Sequence, residues 1–173
     1  MHYASVMTQS HDIRFLRLCK SDYSRVRHIE VAPEQIVYCG TVDMAFASDE
    51  TGLDLFAITL ADQPVGFFKI DLKYPAAYAF CRYGDLGLRG FMIDQPHQNC
   101  GIGSAALQAL PDLLRATYPT ARALVLMVNI RNQLAVRTYL KVGFETTGEM
   151  IDPGLAGPQL VLRRTLPIEG GAP

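Results

Sequence analysis

The stretch Gln98-Asn99-Cys100-Gly101-Ile102-Gly103-Ser104 constrains this chain most, because it stands between a β-rich run and a run with helical apolar spacing. A glycine-rich junction of that kind exposes backbone N–H groups at the positive end of a helix dipole, which makes an anion site. Gly101 and Gly103 let the backbone approach a bound phosphate closely, and Ser104 adds a hydroxyl donor in the first helical turn. The bland alternative is a glycine turn that only joins strand to helix. The same residues also satisfy G-x-G-x-x-A, with Ala106 in third place, the pattern of a dinucleotide-binding turn. Such a turn should follow the first strand and carry an acid at the end of the next. Here the next run ends Met127-Val128-Asn129, and the loop comes late.

The first half of the chain reads as mostly antiparallel. Ile13 to Leu18 alternates like a half-buried strand, and Asp22 offers an N-cap to a short helix carrying Val26, Ile29 and Val31. Pro33 to Gly40 fits either a short helix or a loop. Leu53 to Leu60 and Val65 to Leu72 read as a hairpin around the turn Ala61-Asp62-Gln63-Pro64. A Tyr/Pro/Ala-rich connection, Lys73 to Tyr83, leads to a third strand, Leu86 to Asp94. The second half changes rhythm: a helix over Gly103 to Thr117, an apolar strand over Ala123 to Val128, and a helix over Asn132 to Val142. Pro111 should kink or restart the first of these helices. Phe144 to Glu149 and Leu160 to Leu166 close as paired strands, and residues 1–11 and 168–173 read as loose tails of a single domain spanning 1–173.

Composition narrows the function. With 173 residues, 49% of them hydrophobic, and a net charge of -1, the chain is of the globular class and nothing basic points to nucleic acid. The longest apolar run, about Leu124 to Val128, is far short of the roughly 20 residues that span a bilayer. Met1 to Asp12 lacks a cationic segment followed by an apolar one, so a cytoplasmic address is expected. Cys19, Cys39, Cys81 and Cys100 are scattered and the four histidines lie apart, which supports neither a metal site nor a disulfide framework.

A second constellation follows the glycine loop: Asn132-x-x-Ala135-x-x-x-Tyr139-x-x-x-Gly143-Phe144. On a helix capped by Asn132, Ala135 and Tyr139 share a face, and Gly143 supplies a left-handed C-cap. Taken alone, Tyr139 reads more readily as a core tyrosine with a satisfied hydroxyl. Taken in order, the two constellations resemble the GNAT-type N-acetyltransferases, strongly over Leu86 to Glu149, with the flanking strands fitting the family layout. The pattern Val31-x-x-x-Gln35-x-x-Tyr38, with Phe91-Met92-Ile93-Asp94 and Gln98, is similar to a bacterial branch that includes spermine/spermidine N-acetyltransferases.

The resemblance implies an α/β fold with a mixed, mostly antiparallel twisted sheet flanked by helices. It implies acetyl-CoA as cosubstrate, no metal, an amine acceptor, and compatibility with a homodimer. Acetyl-CoA would lie between the strand ending Phe91-Met92-Ile93 and the strand Val125 to Val128. Backbone groups of Phe91, Met92 and Ile93 would bond the pantetheine arm, and Asn132 would help hold it. Gln98, Asn99, Cys100, Gly101, Ile102, Gly103 and Ser104 would bind pyrophosphate, with Asn99 and Cys100 giving less cationic help than relatives have. Tyr139 would be the acid that protonates the leaving thiolate, and the base would be Asp94, Glu34 or a water. Where polyamine acetyltransferases carry a carboxylate, this chain has Arg89. Turned to the cleft, Arg89 would repel a polycation; turned by a bulge into a salt bridge, it would leave polyamines open. A CoA-binding module without catalysis and an NAD-dependent oxidoreductase are the competing classes.

Overall fold

In a computed structural model, which describes residues 12–152 and 157–167, the chain builds one seven-stranded sheet with helices on both faces. The loose tails expected at 1–11 and 168–173 lie outside the described residues. Strands β1 (Ile13–Leu18), β2 (Leu53–Leu60), β3 (Gln63–Asp71) and β4 (Asp85–Ile93) form an antiparallel meander. β5 (Ala123–Asn129) joins β4 in parallel, and β7 (Gln159–Thr165) and then β6 (Glu145–Ile151) complete the order β1-β2-β3-β4-β5-β7-β6.

Strand alternation divides the core. Phe68, Ile70, Leu88, Leu124 and Leu126 pack against α5 (Ile102–Thr117) and α6 (Gln133–Lys141). On the other face, Phe67 and Met92 meet α1 (Tyr23–Val26), α2 (Pro33–Cys39) and α3 (Val42–Ala47), and Val125 and Val161 meet Tyr74 on α4 (Tyr74–Ala77). No helix among the described residues is long and apolar enough to cross a membrane.

Several local expectations are corrected. Asp22 precedes α1, but its carboxylate accepts from the Cys19 N–H at 2.9 Å, closing a 3-10 turn instead of capping the helix. That helix has only four residues, so Ile29 and Val31 fall beyond it. The open segment after Pro33 is helical, with Pro at its first position, where no N–H is needed. The hairpin turn is two residues long, with Ala61 and Asp62 at φ 46° and 64°. Gln63 and Pro64 already belong to β3, and Pro64 sits beside a bulge, where a missing N–H is tolerated. Helix α5 runs unbroken through Pro111. The carbonyl that proline leaves unpaired is that of Leu107, and it accepts from Arg164 Nη1 at 2.8 Å. Helices α3 and α4 were not foreseen.

At the closed end of β4, Asp85 is 2% exposed and holds Arg163 of β7 through two contacts of 2.5 and 2.7 Å. Nearby, the ring of Tyr74 lies flat on Gly87, so that a Cβ there would stand 2.8 Å from the Tyr74 Cβ and closer still to the ring. We expect Gly87→Ala to destabilise the protein by about 1–3 kcal/mol through overpacking, measured by chemical denaturation. Wild-type stability in the variant would show that the Tyr74 ring moves freely.

Candidate active site

Only Asp85, Leu86 and Gly87 of β4 pair with β5, opposite Ala123, Leu124 and Val125. Beyond them the strands part. Gly90, at φ 59°, is the extra residue of a bulge where the β3–β4 register shifts. The bulge returns Phe91 to the α5 face, where it packs edge-on against Tyr139 at 6.4 Å between ring centroids. Tyr139 in turn meets Phe144 at 5.4 Å, so an aromatic wedge fills the gap on that face.

The parted strands expose backbone. The Asp94 N–H donates to Val65 O at 2.8 Å, towards β3. Groups of successive residues in a strand point to opposite edges, so Phe91 and Ile93 direct theirs towards the departed β5. The Ile93 carbonyl there accepts from the Gln98 side chain at 2.9 Å.

The glycine loop closes the same opening. Asn99 and Gly101 adopt φ 60° and 81°, and Gly101 caps α5 in the left-handed conformation. Such a run turns successive N–H groups inward as an anion-binding concavity. A Cβ on Gly103 would lie 3.5 Å from Ile93 Cγ1 and 3.9 Å from the Phe91 ring, so this glycine keeps the floor between loop and strand clear. These features fit a pyrophosphate and an extended amide-bearing arm.

One cavity of about 620 Å³ runs the length of the site. Phe91, Met92, Ile93, Gln98, Asn99, Gly101, Gly103, Ser104, Asn132 and Tyr139 all line it. Two expected contacts do not: Ile102 is 3% exposed and anchors the helix in the core, and the Cys100 thiol turns back to Gln98 O at 3.3 Å. The Gln98 side chain also faces away from the loop, exchanging hydrogen bonds of 3.0 and 3.3 Å with Gln35 on α2. Asn132 caps α6, its Oδ1 accepting from the Ala135 N–H at 3.3 Å, which leaves its amide N–H groups for the cavity.

The Tyr139 hydroxyl makes no hydrogen bond to a described residue, and burial pushes its pKa well above the ordinary tyrosine value, with a smaller contribution from the Cys39 thiol. It therefore keeps its proton. Asp94 is not a free base: its Oδ1 accepts from the Glu30 N–H at 2.9 Å, stapling the loop before α2 to the end of β4. Glu34 is exposed and does not line the cavity. Arg89 does line it, and is held by Glu50 at 2.5 Å and Asp71 at 2.9 Å. The far arm of the cavity is formed by Tyr38, Cys39, Lys69, Tyr74 and Tyr78; the sequence singled out Tyr38 in a motif and left the other four without a role, the tyrosine-rich composition of Lys73 to Tyr83 being their one visible signal.

A sheet opened between two parallel strands, with a helix N-terminus at its mouth, is the architecture of an acyl-CoA-using transferase. The chain belongs to the acetyltransferase (GNAT) family, whose family model matches residues 15–144; its members are acetyl-CoA-dependent N-acetyltransferases. No curated protein matches the chain in sequence. Among solved structures, it is similar to AAC(6')-Ib in complex with paromomycin and acetyl-CoA, at 17% identity and a TM-score of 0.72, covering 88% of this chain and 93% of that one. It is also similar to a spermidine N-acetyltransferase SpeG chimera from Vibrio cholerae and hSSAT, at 13% identity and a TM-score of 0.68, covering 89% and 95%. The ribosomal-protein-S18-alanine N-acetyltransferase from Escherichia coli aligns at 16% identity and a TM-score of 0.64, covering 93% and 98%. At these identities the likeness establishes the fold.

Gly103 offers a cleaner test of the loop than Gly101, whose positive φ would add backbone strain to any substitution. We expect Gly103→Val to fold and to lose calorimetric binding of acetyl-CoA. Unchanged affinity in a folded variant would remove the loop from the binding site.

Proposed function

We propose that the chain transfers the acetyl group of acetyl-CoA to a primary amine of a small molecule or peptide, the amine attacking the thioester directly. The observation that carries this reading is the alignment, along one cavity, of the cleft-facing backbone of Phe91 and Ile93, the glycine concavity at α5 and the protonated hydroxyl of Tyr139. We assign pyrophosphate to the backbone of Asn99 to Ser104, and the pantetheine amides to Phe91, Ile93 and Asn132. Gln98 acts through its side chain as a spacer between loop and α2.

The acetyl thioester supplies an activated carbonyl. As the amine nitrogen bonds to that carbon, the C–S bond breaks and its electron pair goes to sulfur. Backbone N–H groups on the open edge of β4 polarise the carbonyl oxygen. Tyr139 delivers a proton to the departing sulfur, giving a thiol, and recovers one from solvent. The amine arrives neutral and sheds its second proton to water, since neither Asp94 nor Glu34 lines the cavity. Burial keeps the Tyr139 proton in place: a hydroxyl whose pKa is raised stays protonated wherever the amine is being deprotonated.

Tyr139→Phe should lower kcat by roughly 100- to 10,000-fold with little change in acetyl-CoA affinity; a rate within about twofold of wild type would return Tyr139 to a packing role. The sign of its shift also fixes a pH profile. Because the required form is the protonated one and the pKa is raised, kcat/KM should climb as the amine deprotonates and show no falling limb up to about pH 10. A falling limb below that pH, absent in Tyr139→Phe, would show an acid with an ordinary or lowered pKa.

A further inference from the structure

We propose that the far arm of the cavity receives an amine that also carries an anionic group, with Lys69 as the counter-charge that selects it. The inference rests on the acetyl-transfer reading and gives it a substrate class. Among the described residues, the charged or ionisable-base side chains lining the cavity are Lys69, Arg89 and His97, and no aspartate or glutamate lines it.

The two strong cations differ. Arg89 is held directly by both Asp71 and Glu50. Lys69 stands directly opposite Arg89 in the β3–β4 ladder, where like charges repel. It makes no hydrogen bond or ion pair with any described residue. Its stem passes over the bulge glycine, with Cε 3.1 Å from where a Gly90 Cβ would stand and the Cys39 carbonyl 3.2 Å from the same point. Burial, and then Arg89, lower its pKa, while Glu50 and Asp71, both held by Arg89, offset this only in part, so the ammonium is drawn from water with incomplete compensation. An anion in this arm would supply that compensation.

Tyr74 adds a second feature. The residue is 1% exposed and lines the cavity, yet its hydroxyl makes no hydrogen bond to a described residue. With Tyr38 and Tyr78 it gives the arm phenolic donors beside an ammonium that has no contact partner among the described residues. A second ammonium would find no carboxylate there, so this arm disfavours polycations such as spermidine. The Lys69 stem packs over Gly90, the residue before Phe91, so the proposed anion lies beside the strand to which the acetyl-CoA arm is assigned.

The test compares phenylalanine and β-alanine with their carboxamides, and with spermidine, rates being referred to the free-base amine. For at least one pair, kcat/KM should favour the free acid by about tenfold or more, as a charge-assisted contact predicts. Lys69→Gln should bring that ratio to within about twofold of one, acting through KM, and Lys69→Arg should keep it. Calorimetric titration of the acids into CoA-loaded protein should show binding that Lys69→Gln abolishes. Preference for the carboxamides or for spermidine, a ratio unchanged by Lys69→Gln, or no binding of either acid would overturn the inference, even if other amines are acetylated. Lys69-dependent binding of an acid with no thiol released from any amine would uphold the recognition and sink the acetyl-transfer reading instead.

Discussion

Three residue pairs hold β4 to β5, and the separation beyond them determines the rest of the molecule. A parallel pair buried on both faces has every reason to zip along its full length, since unpaired backbone groups away from water are costly. Here the pairing is clamped at one end and prised at the other. The clamp is Asp85, gripping Arg163 across the sheet and accepting from the Arg82 N–H at 2.7 Å. The wedge is the Gly90 bulge, which sends Phe91 against Tyr139 and Phe144. The open edge of β4 is thereby left with polar groups that only a side chain or a ligand can meet. Gln98 meets one of them, the Ile93 carbonyl.

Features governed by neighbours in sequence were legible without coordinates. The glycine junction, the Asn132 cap, the Gly143 turn at φ 97° and the apolar period of α5 all follow from local rules, and each stands where those rules put it. What escaped depends on distant partners. Pro111 was expected to kink or restart α5, and the helix continues without a restart because Arg164, from the last strand, satisfies the carbonyl it orphans. Asp22 had the chemistry of a cap, but a closer donor at Cys19 claimed its carboxylate. Asp94 was one candidate for the base beside Glu34 and a water; the fold brings the Glu30 N–H to its carboxylate. Helices of four and six residues, α4 and α3, are too short to show a periodicity, so the far arm they help build was nearly silent.

The reciprocal amide pair between Gln35 and Gln98 gives the site a physical link between its two halves. Gln98 sits at the start of the glycine loop, and Gln35 in the first turn of α2, whose last residue, Cys39, shares with the Lys69 stem the space beside Gly90. Gln98 also bonds the edge of β4. A displacement of the loop, the strand edge or α2 therefore strains contacts in the other two. Loop and α2 thus share one network without sharing a backbone segment.

Arg89 shows why the charge at one position does not by itself settle what a cleft will bind. The sequence offered two outcomes, a cation facing the acceptor or a cation folded into a salt bridge, and the structure contains both: the residue lines the cavity and is held by two carboxylates. Asp71, with a side chain 6% exposed, is fixed further by the Lys73 N–H at 2.8 Å, so it cannot turn to serve a ligand instead. Both carboxylates are thus engaged by Arg89, and with Lys69 across the ladder the four groups are formally neutral. Lys69, a residue with no motif around it, is the one of the four without a contact partner among the described residues, and it is there that the cavity has a donor left to offer.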